Sequence, residues 1–132
     1  ALAGIMDEAD TKLISEVVEH INSNRRMQWV DLHNFRIVKY GAVYHIDCHL
    51  TVPWYITVKE AHIEASQLEG LIVEKFGPNV EMSVHVEDCH LSACSICEVK
   101  DCIHRIAPLN QRVEWTSENV ANAKRHTRKE TR

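Results

Sequence analysis

Between residues 9 and 24, Leu13, Ile14, Val17, Val18 and Ile21 recur at the spacing of an amphipathic helix. Asp10 or Thr11 is placed to cap its start, and Asn22-Ser23-Asn24 to stop it. Residues 30–40 then read as a strand, Gly41 as a turn, and 42–52 as a second strand. Pro53 closes that strand because it cannot donate to a sheet ladder. Thr57 can cap a second helix reaching Phe76, with Val58, Ala61, Ala65, Leu68, Ile72 and Phe76 along one face. Gly77-Pro78-Asn79 breaks it, and residues 80–87 form a third strand. The predicted order is α-β-β-α-β, an α+β open-faced sandwich with both helices on one face of a small sheet.

Strand side chains alternate between faces. In the second strand Tyr44, Ile46, Cys48, Leu50 and Val52 point one way, and Val43, His45, Asp47, His49 and Thr51 the other. The third strand divides Val80, Met82, Val84 and Val86 from Glu81, Ser83, His85 and Glu87. With the helices on the apolar faces, His45, Asp47, His49, His85 and Glu87 fall on the uncovered side. Polar residues on a wet sheet face are ordinary. Imidazole and carboxylate converging there are also the ligand set of zinc or another divalent first-row metal. The His85-x-Glu87 pair, two donors on one face of one strand, favours the metal reading.

Composition supports a folded domain and narrows its chemistry. The chain has 132 residues, 45% of them hydrophobic, and a formal net charge of −4. That charge argues against a general nucleic-acid binder, which needs a basic surface to displace counterions from phosphates. No apolar run approaches the roughly 18 residues of a membrane span, and no basic segment precedes an apolar one as in a signal peptide.

Nine histidines and five cysteines are the abnormal counts. Cys89, Cys94, Cys97 and Cys102 form Cys-x4-Cys-x2-Cys-x4-Cys, able to supply four thiolates to one ion, with His90 and His104 as alternative ligands. Structural zinc is the leading reading, since a short segment of little apolar content needs a staple. An iron–sulfur cluster comes second, and free thiols or an adventitious disulfide third. Cys48 faces the helices as a small buried hydrophobe. Beyond Pro108 a helix is expected over 117–128, Trp115 packs back on the domain, 127–132 frays, and His20 and His126 are surface residues.

Taken in order, Asp31-Leu32-His33-Asn34-Phe35-Arg36 through Gly41, His45-Ile46-Asp47-Cys48-His49-Leu50, Glu60-Ala61-His62 and Val84-His85-Val86-Glu87 resemble the cytoplasmic C-terminal domain of cation diffusion facilitator (cation efflux) transporters. The likeness covers about the first 90 residues, spacing included. It implies a metallochaperone-like fold, ferredoxin-like in style, for residues 1–89, with 90–132 as a Cys-rich extension. It also implies a membrane domain preceding this one in the same polypeptide, with residues 1–10 as the link leaving it. The implied place is the cytoplasmic face of the membrane.

Carried over by position, the resemblance implies metal ligands at His33, His49, His62, His85 and Glu87. Where the family commonly has Asp, Glu87 keeps the carboxylate on a longer arm. It further implies a homodimer whose arrangement responds to bound metal. Zn2+ is the expected ion, with Fe2+, Mn2+, Co2+ and Ni2+ open to the same ligands, and acid should weaken binding because the imidazoles must be neutral. Two other functions compete. A soluble metallochaperone or metal buffer would use the same fold without a membrane part. A zinc hydrolase would need an open coordination position beside a substrate cleft, and no Ser-His-Asp set, His-Glu-x2-His or phosphate loop supports one.

Overall fold

A computed structural model describes residues 8–127. Within them lie α1 (Glu8–Ser23), β1 (Asp31–Tyr40), β2 (Val43–Val52), α2 (Val58–Phe76) and β3 (Val80–Asp88), the expected α-β-β-α-β order. A short 3-10 helix (Leu91–Ile96) and α3 (Ser117–Val120) follow. No described helix is long and apolar enough to cross a membrane. Most of the expected link at 1–10, and all but Thr127 of the expected fraying end, lie outside the described residues.

The sheet order is β1-β2-β3. β1 pairs antiparallel with β2 across the turn at Gly41, whose φ of 59° suits a residue without Cβ. β2 pairs in parallel with β3, so α2 is the crossover that parallel strands require. Leu32, Ile46, Cys48, Leu50 and Val52 face Val17, Val18 and Ile21 of α1 and Leu68 and Ile72 of α2 in one buried cluster. α2 begins as its sequence suggests. The Thr57 side chain accepts from the Glu60 N–H while the Glu60 carboxylate accepts from the Thr57 N–H.

Two helix boundaries differ from expectation. α1 already runs at Glu8, so Asp10 is inside it rather than at its cap. There its buried carboxylate accepts from the Tyr44 hydroxyl at 2.6 Å and from Lys39 Nζ at 3.2 Å. α3 spans four residues where 117–128 was expected. The carbonyls that would continue it are taken elsewhere. Asn119 O accepts from His126 Nε2 at 2.8 Å, Ala121 O from Arg36, and Asn122 O from the Asn34 N–H at 2.6 Å. Tertiary contacts thus end the helix and send its chain along the sheet.

The extension shares the core of the sandwich. Ala93, Ile96, Val113, Trp115 and Val120 belong to the same buried cluster, and the Arg25 guanidinium lies 3.6 Å over the Trp115 ring.

Candidate metal centre

Register places the polar face. His33 pairs with His49 across β1 and β2, and His49 with His85 across β2 and β3, so three histidines from three strands stand in one row. Asp31 pairs with Thr51, and Thr51 with Glu87, one step along that face. The β1–β2 pairing slips between His33 and Arg36. This bulge puts Asn34 at φ 51°, a left-handed conformation that asparagine tolerates better than most residues. Asn34 Nδ2 thereby comes within 3.0 Å of His49 Nε2.

His33, His49 and Glu87 each offer one ligand atom within 4.8 Å of the others, the one such set of three or more metal-ligating side chains among the described residues. Glu87 joins the two rings, with Oε1 3.1 Å from His33 Nε2 and Oε2 3.0 Å from His49 Nδ1. The ring centroids of His33 and His49 are 5.2 Å apart, edge to face. His33 is 2% exposed, and the His49 and Glu87 side chains 26% and 24%, so the centre has a closed floor and an accessible mouth.

Behind it, Asp31 Oδ2 lies 3.3 Å from His33 Nδ1. A carboxylate behind the outer nitrogen is the usual support of a metal-binding imidazole, and here it leaves Nε2 toward Glu87. Burial pushes the Asp31 carboxyl up, but hydrogen bonding to His126 and the nearby His33 hold it below the usual carboxylate range. Two buried atoms of the centre, Glu87 Oε1 and His33 Nδ1, have no aligned hydrogen-bond partner. A carboxylate whose two oxygens each face a different imidazole suits a divalent cation.

The remaining candidates divide. His85 stacks on His49 with centroids 5.0 Å apart but is exposed and stands outside the close set. His62 is exposed on α2 and is not brought into it either. His45, further along β2, meets Glu81 at 3.2 Å and the Tyr40 ring, while Asp47 is exposed. His20 is half-buried, with Nε2 2.6 Å from Glu74 Oε2. Cys48 is buried, and burial pushes its thiol up to about 12.

Two expectations need correction. The face was read as uncovered, yet the extension reaches it at Asp31 and Glu87. His126, read as a surface residue, is 1% exposed, with its Nδ1 2.5 Å from Asp31 Oδ1. Arg125 of the same segment reaches 3.7 Å from Glu87 Oε1. Alternation holds to the end of β3, where Val86 pairs with Leu50 and Glu87 with Thr51, although on this edge strand Val86 is 39% exposed and Glu87 partly covered. No periodicity marks Asp31 or His126 as partners, because they lie 95 positions apart.

Cys89, Cys94, Cys97 and Cys102 are all unbridged and line one hollow with Val30, Pro53, Tyr55, His90, Ala93, Val99 and Arg105. His104 lies outside this lining, its ring 4.7 Å from Trp54 and 5.2 Å from Tyr55.

A family model described as the cytoplasmic domain of cation efflux proteins matches residues 9–89. The fold is similar to the metal-bound C-terminal domain of the CzcD transporter from Thermotoga maritima, with a TM-score of 0.53 at 19% identity over 63% of this chain and 94% of that one. It is also similar to a structure of the candidate zinc transporter CzrB, with a TM-score of 0.50 at 23% identity over 66% of this chain and all of that one. At such identities the likeness is one of fold. Comparison with curated proteins gives no match.

Proposed function

The chain belongs to the family of cation efflux cytoplasmic domains, and from that premise we propose that it is the metal-sensing, dimerising regulatory domain of a divalent-cation efflux transporter, with zinc as the foremost ion. The observation that carries the reading is the convergence of His33, His49 and Glu87 from three strands on one partly buried point. His85, stacked on His49, is the fourth donor we assign to the site. His62, exposed on α2, is available to a second copy of the domain. The unit acting this way spans residues 1–89, with 90–132 as an extension folded onto it.

Regulation needs the ion to bind one arrangement of the domain pair better than another, since equal binding to both shifts nothing. A site with a rigid floor and an open mouth meets that condition when the partner reaches the mouth. A hydrolytic reading gains no support, because Glu87, the carboxylate of the cluster, already faces both imidazoles and is not free to act as a base. In the intact protein the domain works beside the membrane helices of the same polypeptide, and bound metal there biases the transport step.

Calorimetric zinc titration of the 132-residue chain, with light scattering to follow its mass, tests the proposal. Replacing His33 and His49 by Ala should weaken binding at this centre by ~100-fold or more. Zinc should also shift the monomer–dimer balance of the wild type. Unchanged affinity and stoichiometry in the double variant would remove the sheet-face site.

A further inference from the structure

We propose that Cys89, Cys94, Cys97 and Cys102 bind a single zinc ion through four thiolates, a second metal centre separate from the His33/His49/Glu87 site. Three pieces of backbone bring the thiols to one place. Cys89 follows β3 directly and prolongs the sheet, its N–H donating to Val52 O at 2.9 Å. Cys94 lies in the 3-10 helix, and Cys97 caps it, its N–H donating to Cys94 O at 3.3 Å. Cys102 sits in the next turn, where its carbonyl accepts from the Arg105 N–H. All four line one cavity of about 20 Å³. That is room for one water-sized occupant or one ion, and too little for a multi-iron cluster.

The sulfurs already meet the donors that support a thiolate. The Val99 N–H donates to Cys97 Sγ at 3.5 Å, and the Trp54 N–H to the Cys89 sulfur. The Tyr55 hydroxyl is hydrogen-bonded to Cys102. Such partners around the ligands are the outer support of a metal site. Burial pushes the Cys97 thiol up, and against that the Val99 N–H and the Arg105 guanidinium favour its ionised form. Arg105 also fastens the loop. Its Nη1 donates to Cys94 O at 2.6 Å and Ala107 O at 2.8 Å, and its Nη2 to Cys97 O and Val99 O, both at 2.7 Å. Each thiol gives up its proton on ligation, so a divalent ion leaves the centre anionic, with Arg105 beside it as counter-charge.

The chain around the site calls for a cross-link. From Cys97 to Gln111 there is no helix or strand, and Val99 is the one buried residue. Ile103 and Ile106 of that stretch are 89% and 67% exposed. So little apolar burial gives a segment of this length a weak hold, which a structural ion supplies. Among the described residues no three of the thiols lie within 4.8 Å of one another. An ion about 2.3 Å from each sulfur in a tetrahedron would draw them to about 3.8 Å of one another, so binding tightens the loop. Four thiolates leave no open coordination position, which makes this centre structural where the sheet-face site has an open mouth. Cys89 lies two residues beyond Glu87, so the ion also fixes the end of the strand that carries the sheet-face carboxylate.

The test is zinc content and cobalt spectroscopy of the 132-residue chain, purified under reducing conditions and loaded with each metal alone. Cobalt should give the intense sulfur-to-metal charge-transfer and visible bands of a tetrahedral thiolate site. The His33→Ala/His49→Ala variant should keep that spectrum and one zinc per chain, with sulfur neighbours at about 2.3 Å by X-ray absorption. This separates the centre from the sheet-face site. Cys94→Ser/Cys97→Ser should lose both signals, and His90→Ala, which borders the same cavity, should keep them. Should the cysteine variant not fold, the cobalt spectrum of the chain with its thiols intact decides alone. Thiols that stay free, or pair as disulfides, in the presence of zinc would overturn the proposal. So would iron bound with acid-labile sulfide, or loss of the ion in His90→Ala.

Discussion

His126 Nδ1 lies 2.5 Å from Asp31 Oδ1, and both side chains are buried, at 1% and 2% exposure. The other ring nitrogen, Nε2, meets Asn119 O at 2.8 Å. Both nitrogens face acceptors, an arrangement that a ring protonated on both nitrogens would satisfy against the Asp31 carboxylate. The His126 N–H adds a bond to Asp31 Oδ2 at 2.8 Å. Removing one partner of a buried ion pair leaves the other charge uncompensated, which costs about 3–5 kcal/mol. His126→Ala should therefore lower the stability of the chain by roughly 3 kcal/mol in urea denaturation. The wild-type ring should show two exchange-protected N–H protons by NMR. A cost below about 1 kcal/mol, the range of exposed pairs, would show that the pair is not closed in solution.

Asp31 also stands behind His33, which makes it the link between the extension and the candidate metal centre. Asp31→Asn keeps the shape but removes the charge that orients the His33 ring. Second-sphere losses of this kind cost roughly 10–100-fold in metal affinity. Zinc titration should register a fall in that range with unchanged stoichiometry. A normal affinity would separate Asp31 from the site.

Arg125 acts in the opposite direction. Its Nη2 is 3.7 Å from Glu87 Oε1 and 3.7 Å from Asp88 Oδ1, so it competes with a cation for the same carboxylate. The pair is partly exposed and weak, about 0.2–1 kcal/mol. Arg125→Ala should tighten zinc binding by roughly two- to fivefold, and the effect should shrink in high salt. Weaker binding in the variant would mean that Arg125 supports the site rather than competing for it.

These three residues mark the limit of what the sequence could tell. Period-two alternation placed His49, His85 and Glu87 on one face because strand geometry is local, and the paired register brought His33 beside them. The bulge at Asn34 left no such signal, since nothing in a single strand announces that its partner will slip. The extension was misread for the same reason. A run of polar residues after Ser117 has helical propensity, but Asn34, Arg36 and His126 compete for its carbonyls, and all three meet it only in the folded chain. The four cysteines were visible as a set by count and spacing. That they border one hollow with Val30, Pro53 and Arg105 is a product of the fold, which no spacing rule contains.

Trp115 tests whether the extension is an appendage or part of the body. It is 2% exposed, joins the common core, and its carbonyl accepts from Asn22 Nδ2 of α1. Trp→Ala substitutions in a packed core cost about 3–5 kcal/mol. Trp115→Ala should therefore lower the whole unfolding transition by that amount, with circular dichroism and tryptophan fluorescence remaining coincident. Two separate transitions would mean that residues beyond 89 melt independently of the sandwich.

The capping box of α2 gives the last prediction, and its sign with pH follows from the structure. Thr57 Oγ1 accepts from the Glu60 N–H at 3.1 Å, and Glu60 Oε1 from the Thr57 N–H at 3.0 Å. Losing a threonine cap costs about 1 kcal/mol, so Thr57→Ala should destabilise the chain by that much at neutral pH. The bond from the Thr57 backbone, then that from its hydroxyl, holds the exposed Glu60 carboxyl below the usual range. A carboxyl whose folded pKa is depressed stabilises the fold above its unfolded pKa, about 4.3, and loses that contribution as pH falls through the folded value. The backbone bond survives in Thr57→Ala, so the gap between the two chains should be full near pH 7 and lose only the hydroxyl's share in acid. A gap independent of pH would show that the Thr57 hydroxyl does not hold the Glu60 carboxylate.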